Sequence, residues 1–168
     1  MIHGRNMVVN AVVATVFACG LPACRGAPNE TPAPVSSTAA TEEHHEAPHG
    51  GALVALGEDV AQVELAVDRA AGAATIYVFN GEAEESVRIP QAIVSLALSA
   101  PPALAGRRFN LAARASVLTG EVVGDSSEFT LTDAALRGVA SLKGQIVEIT
   151  VKGQTFRNIR VEYSSGLN

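Results

Sequence analysis

From Gly50 onward the chain is written in period two. "DVAQVELAVD", Asp59 to Asp68, places Ala61, Val63, Leu65 and Val67 on one face and Gln62, Glu64 and Asp68 on the other. Successive side chains of an extended strand point to opposite faces of a sheet, so this alternation predicts a half-buried β-strand. The short apolar run "ALVAL", Ala52 to Leu56, precedes it and is broken by Gly57. "RAAG" then turns the chain and "AATIYVFN" returns it. Asn80-Gly81 is predicted as a tight turn, because both residues tolerate positive φ. "SVRIP" is predicted as a short strand at a sheet edge, since Pro90 has no N–H to give to a ladder. "AIVSLALS" has the apolar, β-branched character of a buried strand, and "RRFNLAARAS" alternates through Phe109, Leu111 and Ala113. "GEVVGDSSEFTLT" predicts a turn followed by a strand through Phe129 and Leu131. "DAALRGV" predicts one helical turn capped by Asp133. "GQIVEITVKGQTFRNIRVEY" predicts a hairpin turning at Lys152-Gly153, with Ile146, Glu148 and Thr150 alternating against Val147, Ile149 and Val151.

Eight or nine short strands with almost no helix predict an all-β domain over residues 49–168. The expected architecture is an antiparallel β-sandwich, immunoglobulin-like or of similar Greek-key topology. The Cys-Trp-Cys pattern of a true immunoglobulin domain is absent, and a small barrel remains open as an alternative. With no Trp and 4% aromatic residues, the core must be built from Ala, Val, Leu and Ile.

The segment before the domain has a different character. "MVVNAVVATVFA", Met7 to Ala18, is an apolar run interrupted by Asn10 and preceded by Arg5. A membrane-spanning helix needs about 20 apolar residues, so this run has the length of a secretory h-region instead. "LPAC", Leu21 to Cys24, follows and resembles a bacterial lipoprotein signal, in which an aliphatic and a small residue precede an obligate Cys. That resemblance implies a signal peptide over residues 1–23 and lipid attachment at Cys24. Arg25 stands where an inner-membrane retention signal would place Asp, so the resemblance implies a periplasmic protein anchored to the outer membrane. Cys19 would leave with the leader, which leaves Cys24 no disulfide partner. Residues 24–48 hold Pro28, Pro32, Pro34 and Pro48 among Ala, Ser, Thr and Glu. They lack apolar periodicity and read as a disordered tether. As a coil such a segment spans roughly 27 Å, from about 5–6 Å times the square root of its length.

Several chemistries are disfavoured. The net charge of -5 with a single adjacent basic pair, Arg107-Arg108, argues against nucleic acid as a partner. "GDSSEF" offers serines, but no His follows His49, and a Ser nucleophile usually needs a neighbouring base. Glu121, Asp125, Glu128 and Asp133 lack the ligand spacing of a calcium loop and read as carboxylates around turns. No glycine-rich loop leads into a helix, so phosphate cradling is unsupported. The expectation is a protein that is not an enzyme.

The histidines carry the remaining signal. In "TEEHHEAPHGG", His44, His45 and His49 fall within six positions, with Glu42, Glu43 and Glu46 among them. Imidazole suits Zn, Ni and Cu(II), and carboxylates can complete the shell. Both methionines lie in the leader, so soft ligands for Cu(I) are missing. Against this, His44 and His45 point apart in an extended chain, and Pro48 disfavours the helix that would align His45 with His49. The competing reading is a polar linker ending at the first strand.

"HGGALVALGEDVAQVELAVDRAAGAATIYVFNG", His49 to Gly81, resembles the start of small exported domains. It is similar to envelope lipoproteins of unknown function and to N-terminal extensions of periplasmic adaptor subunits in heavy-metal efflux systems. The resemblance implies a metal-handling accessory with His49 as the residue to carry over. A structural or interaction lipoprotein engaging another envelope protein is the alternative, and a weak binder of a small ligand between the sheets is a third.

Overall fold

A computed structural model of the chain describes residues 46–166. The predicted signal peptide, Cys24 and most of the tether, with Glu42, Glu43, His44 and His45, lie outside the described residues. Eight strands follow in order: β1 (Ala52–Leu56), β2 (Ala61–Asp68), β3 (Ala73–Phe79), β4 (Ile93–Ala100), β5 (Arg108–Ala113), β6 (Glu128–Thr132), β7 (Ser141–Val151) and β8 (Gln154–Ser164). A single 3-10 turn, Ala134–Leu136, separates β6 from β7, and Asp133 caps it by accepting from the Ala135 N–H at 2.8 Å.

The strands form one antiparallel sheet in the order β1-β2-β3-β6-β5-β4-β7-β8. That sheet curls until β8 packs against β1 and β2, so the fold is a nearly closed barrel. The expected two-sheet sandwich is therefore corrected to one sheet packed on itself. Alternation in sequence cannot separate the two, because both bury one face of every strand. Long-range curvature separates them. Between Ile146 and Ile149 the buried face of β7 shifts by one residue, so that both isoleucines point inward. Opposite this point on β8, Asn158 has φ +54°. The strict alternation predicted along β7 is thus broken where the strand bends. A register shift between Leu98 and Ala100 bends β4 against β7. Such irregularities turn a flat ladder into a curved one.

β1 and β8 end the ladder, and side chains close the seam between them. The Phe156 ring lies beside Gly57, and the Tyr163 hydroxyl donates to the Val67 carbonyl at 3.3 Å. Val63, Leu65, Ile76, Val78, Leu96, Leu111, Phe129, Ile146 and Ile149 fill the interior. An eight-stranded barrel has an interior that side chains just fill, which suits aliphatic residues with few rings, Phe109 and Phe129 among them.

Two local expectations are refined. Asn80-Gly81 does open a turn, closed by the Ala83 N–H donating to the Asn80 carbonyl at 3.2 Å, but neither residue has positive φ. The Asn80 side chain also accepts from the Glu84 and Glu85 N–H groups, and the turn leads into a broad loop from β3 to β4. "SVRIP" lies in that loop and makes only isolated bridges, Phe79 with Ser86 and Ile89 with Ser126. Lys152-Gly153 does turn the β7–β8 hairpin, both residues with positive φ.

Candidate functional site

The site is built on the outer face of β2, where Glu64 was expected to face solvent. Glu64 is fully buried, although the core side of β2 is taken by Val63 and Leu65. The chain entering β1 covers it. Ala47, Pro48, His49 and Gly50 form a turn closed by a hydrogen bond from the Gly50 N–H to the Ala47 carbonyl at 3.0 Å. Pro48 suits the second position of such a turn, and Gly50 at the fourth has φ +68°. Gly51 then lies flat on the sheet, where a Cβ would sit 2.5 Å from the Leu65 carbonyl oxygen. The Pro-His-Gly-Gly sequence is therefore the local code for docking this segment onto β2.

The Glu64 carboxylate accepts every hydrogen bond the docked segment offers it. The Gly51 N–H donates to Oε1 at 2.7 Å, and the His49 N–H reaches Oε1 at 3.0 Å and Oε2 at 3.1 Å. His49 Nδ1 lies 2.9 Å from Oε2. The imidazole is stacked on the Tyr77 ring, with centroids 3.7 Å apart and planes 7° from parallel. Position and tilt of the ring are thus both set, while 41% of the His49 side chain stays exposed. Nε2 makes no hydrogen bond among the described residues.

The strand register places Glu64, Tyr77 and Glu128 side by side on β2, β3 and β6. Burial raises the Tyr77 pKa above its ordinary value, and the Glu128 and Glu64 charges push it the same way. Beside His49 opens a cleft of about 370 Å³, lined by Tyr77, Ser86, Arg88, Thr119, Glu121, Ser127 and Glu128. Glu121 does flank a turn, bridging to Ser116, and it is buried there. Burial opposes its charged form, yet hydrogen bonds from the Ser127 hydroxyl and N–H and from the Thr119 hydroxyl, with the nearby Arg88 charge, hold its pKa below the carboxylate range.

His49 therefore packs on the folded barrel, and brings an imidazole near Ser86 and Ser127, a possibility set aside from the sequence. Ser127 Oγ donates to Glu121 rather than to His49, and no hydroxyl bonds Nε2 among the described residues. A nucleophile–base pair is therefore not formed. A carboxylate bonded to one imidazole nitrogen is, however, the arrangement that orients a metal-ligating histidine and leaves its other nitrogen to the metal. Of the proposed ligands, His49 and Glu46 fall among the described residues; Glu46 is exposed and lies three residues before His49. No group of three or more His, Cys, Asp or Glu that could hold a metal is found among the described residues.

Sequence reasoning singled out His49 and missed Glu64, Tyr77 and the burial of Glu121. The available signal was Glu64 itself, a carboxylate whose β3 partner, Tyr77, offers no cation. Compared with known proteins, the chain matches no protein-family model, no curated protein and no solved structure.

Proposed function

We propose that the protein is a lipid-anchored periplasmic barrel that binds a divalent transition metal, Zn, Ni or Cu(II), as an accessory to metal homeostasis. Cys24 carries the lipid and the outer membrane is the site of anchoring. His49 is the ligand held by the barrel. His44 and His45, with Glu42, Glu43 or Glu46, reach the metal from the preceding segment. The observation that carries this reading is the hydrogen bond between His49 Nδ1 and the buried Glu64, with His49 lining a cleft and its Nε2 making no hydrogen bond among the described residues. Fixing the ring in advance removes part of the ordering entropy that a wholly flexible histidine cluster would lose on binding.

The test is calorimetric titration of Zn(II), Ni(II) and Cu(II) into the wild-type chain and into His49→Ala and His44→Ala/His45→Ala variants. The proposal expects micromolar or tighter binding that is lost in His49→Ala and weakened in the double variant. It also expects binding to weaken on acidification, because a ligating imidazole must be unprotonated. Equal heats in all three chains would sink it.

A second reading, a protein-interaction lipoprotein, draws support from the loop between β5 and β6. There Val117 and Leu118 are 100% and 96% exposed, and Val122 and Val123 are also exposed. In-cell crosslinking from position 118 tests it, and a single captured envelope protein together with silent metal titrations would favour it.

A further inference from the structure

We infer that the loop between β5 and β6 inserts its aliphatic tip, Val117, Leu118, Val122 and Val123, into a lipid surface; the inference rests on the lipid-anchored reading above for which surface lies nearby. The loop is folded inside out. From Ala115 to Gly124 its one ionisable residue is Glu121. That carboxylate is buried, and it accepts from the Ser127 N–H at 2.8 Å and the Thr119 hydroxyl at 2.7 Å. The four aliphatic side chains stand out in solvent, Val117 and Leu118 almost entirely. Single exposed apolar residues are ordinary on a protein surface, whereas a contiguous group marks an interaction site. The tip is also held in place. Ser116 and Glu121 exchange backbone hydrogen bonds at 3.0 Å, and Val122 and Asp125 do so at 3.2 and 2.9 Å. Each aliphatic pair therefore sits on a tight turn, with Gly120 and Gly124 at positive φ. At the base Arg88 donates to Asp125 at 3.2 Å and to the Thr119 carbonyl, and the Ser126 hydroxyl donates to the Arg114 carbonyl at 2.8 Å. These bonds keep the apolar side chains from folding back onto the barrel. They also satisfy backbone groups that entry into lipid would strip of water.

Two observations favour lipid over protein as the occupant. The first is the chemistry of the tip. The centres of protein interfaces draw on Trp, Tyr and Arg, and Val and Leu are under-represented there. This tip offers no ring and no guanidinium, because Arg88 and Arg114 are paired with Asp125 and Glu128. A bilayer asks only for apolar area that carries no charge. The second is the place where the chain enters the barrel. Glu46 stands three residues before His49, and His49 lines the same cleft as Thr119 and Glu121 of the loop. The chain therefore joins the barrel beside the loop. Cys24 stands 22 positions before Glu46. A coil of that length spans roughly 25 Å, about the length of the eight-residue strand β2 at about 3.3 Å per residue. An anchor at Cys24 thus holds this side of the barrel toward the lipid. The anchor supplies the retention, and the loop adds a second, reversible contact that fixes the orientation of the barrel.

The chain has no Trp, so a single introduced one reports its own surroundings. The experiment uses the full chain carrying Cys24→Ser, which has no attachment point for lipid, with either Leu118→Trp or Ala103→Trp. Ala103 is exposed in the loop between β4 and β5, at the opposite end of β5. Each chain is titrated to saturation with vesicles of phosphatidylethanolamine and phosphatidylglycerol, with and without lipid brominated in its tails. The inference expects the Leu118→Trp emission to shift to the blue and to be quenched several-fold more by brominated tails than that of Ala103→Trp. High salt should leave the difference unchanged, because the tip carries no charge. Adding Val122→Asp and Val123→Asp to the Leu118→Trp chain should abolish it. Val117→Asp serves in their place should that chain fail to fold, as read by urea unfolding. Equal quenching of the two probes, or none, overturns the inference. A single envelope protein crosslinked from position 118 in cells, with no quenching in vesicles, overturns it in favour of a protein partner. Failure of the anchor is read separately: a wild-type chain that takes up no palmitate, beside quenching of the Leu118→Trp probe, removes the anchor and leaves the loop standing.

Discussion

Replacing Glu64 by Gln tests the site at its foundation. The wild-type carboxylate is fully buried and accepts from two backbone N–H groups and one imidazole nitrogen. Gln has nearly the same shape, and its Oε1 can keep both backbone donors. In place of Oε2 it has an NH2 group, which must donate. His49 Nδ1 then has to accept, so the imidazole is forced into the tautomer that carries its proton on Nε2. Charge-assisted hydrogen bonds contribute about 1.5–3 kcal/mol and neutral ones about 0.5–1.5, so three such exchanges cost roughly 3 kcal/mol. Relief from burying a charge offsets part of this, leaving a net loss of about 1–2 kcal/mol. Glu64→Ala leaves all three donors without an acceptor and should cost about 3–5 kcal/mol, or undock residues 46–51 altogether. Urea unfolding in chelator reads both numbers, and nitrogen-15 NMR of the imidazole reads the tautomer. Because the Nε2 proton must then be displaced, Glu64→Gln should also weaken Zn(II) binding by about 10–100-fold while the fold persists. Two results would refute the reasoning. One is Glu64→Ala as stable as wild type. The other is Glu64→Gln with Nδ1 still protonated in the folded protein.

Three further outcomes are expected. The stability difference between wild type and Glu121→Gln should be full above the ordinary carboxylate range and shrink as pH falls below it, because the folded-state pKa is lowered and the stabilisation is lost on protonation; urea midpoints measured across acidic pH read it. Gly144→Ala should destabilise by about 1–3 kcal/mol through overpacking, since its Cβ would press on the Ala97 carbonyl oxygen; a lower urea midpoint at unchanged slope is the signature. Cys24→Ser should abolish labelling by radioactive palmitate and release the protein from the membrane fraction, and retention of both would remove the lipid anchor from the proposal.

Much of the fold was legible in the sequence because strand formation is local. Alternation along Ala61–Val67 predicts β2, and the cap of Asp133 and the turn at Lys152-Gly153 follow from single-residue preferences that the structure keeps. "SVRIP" was misread because its pattern matches a strand while its neighbours never pair with it beyond isolated bridges. Asn80-Gly81 turns the chain as its residues predict, but without positive φ, because the Asn80 side-chain oxygen accepts from the Glu84 and Glu85 N–H groups and a longer loop follows.

The sequence by itself determined that the domain is antiparallel β and that its apolar faces are aliphatic. It also marked His49 as the histidine nearest the first strand. Those properties depend on the period of the side chains and the residues at turns, which act over a few positions. Only the tertiary structure decided that the sheet curls nearly closed on itself, because the bends at Val147 and Leu98 show their effect only when distant strands meet. It alone decided that Glu64 is buried. An outward-facing carboxylate reads as solvated until another part of the chain covers it, and here the cover is the Pro-His-Gly-Gly turn, 13 to 15 residues away in sequence. The candidate site exists because that turn satisfies a buried charge, and a contact of that kind has no periodicity to announce it.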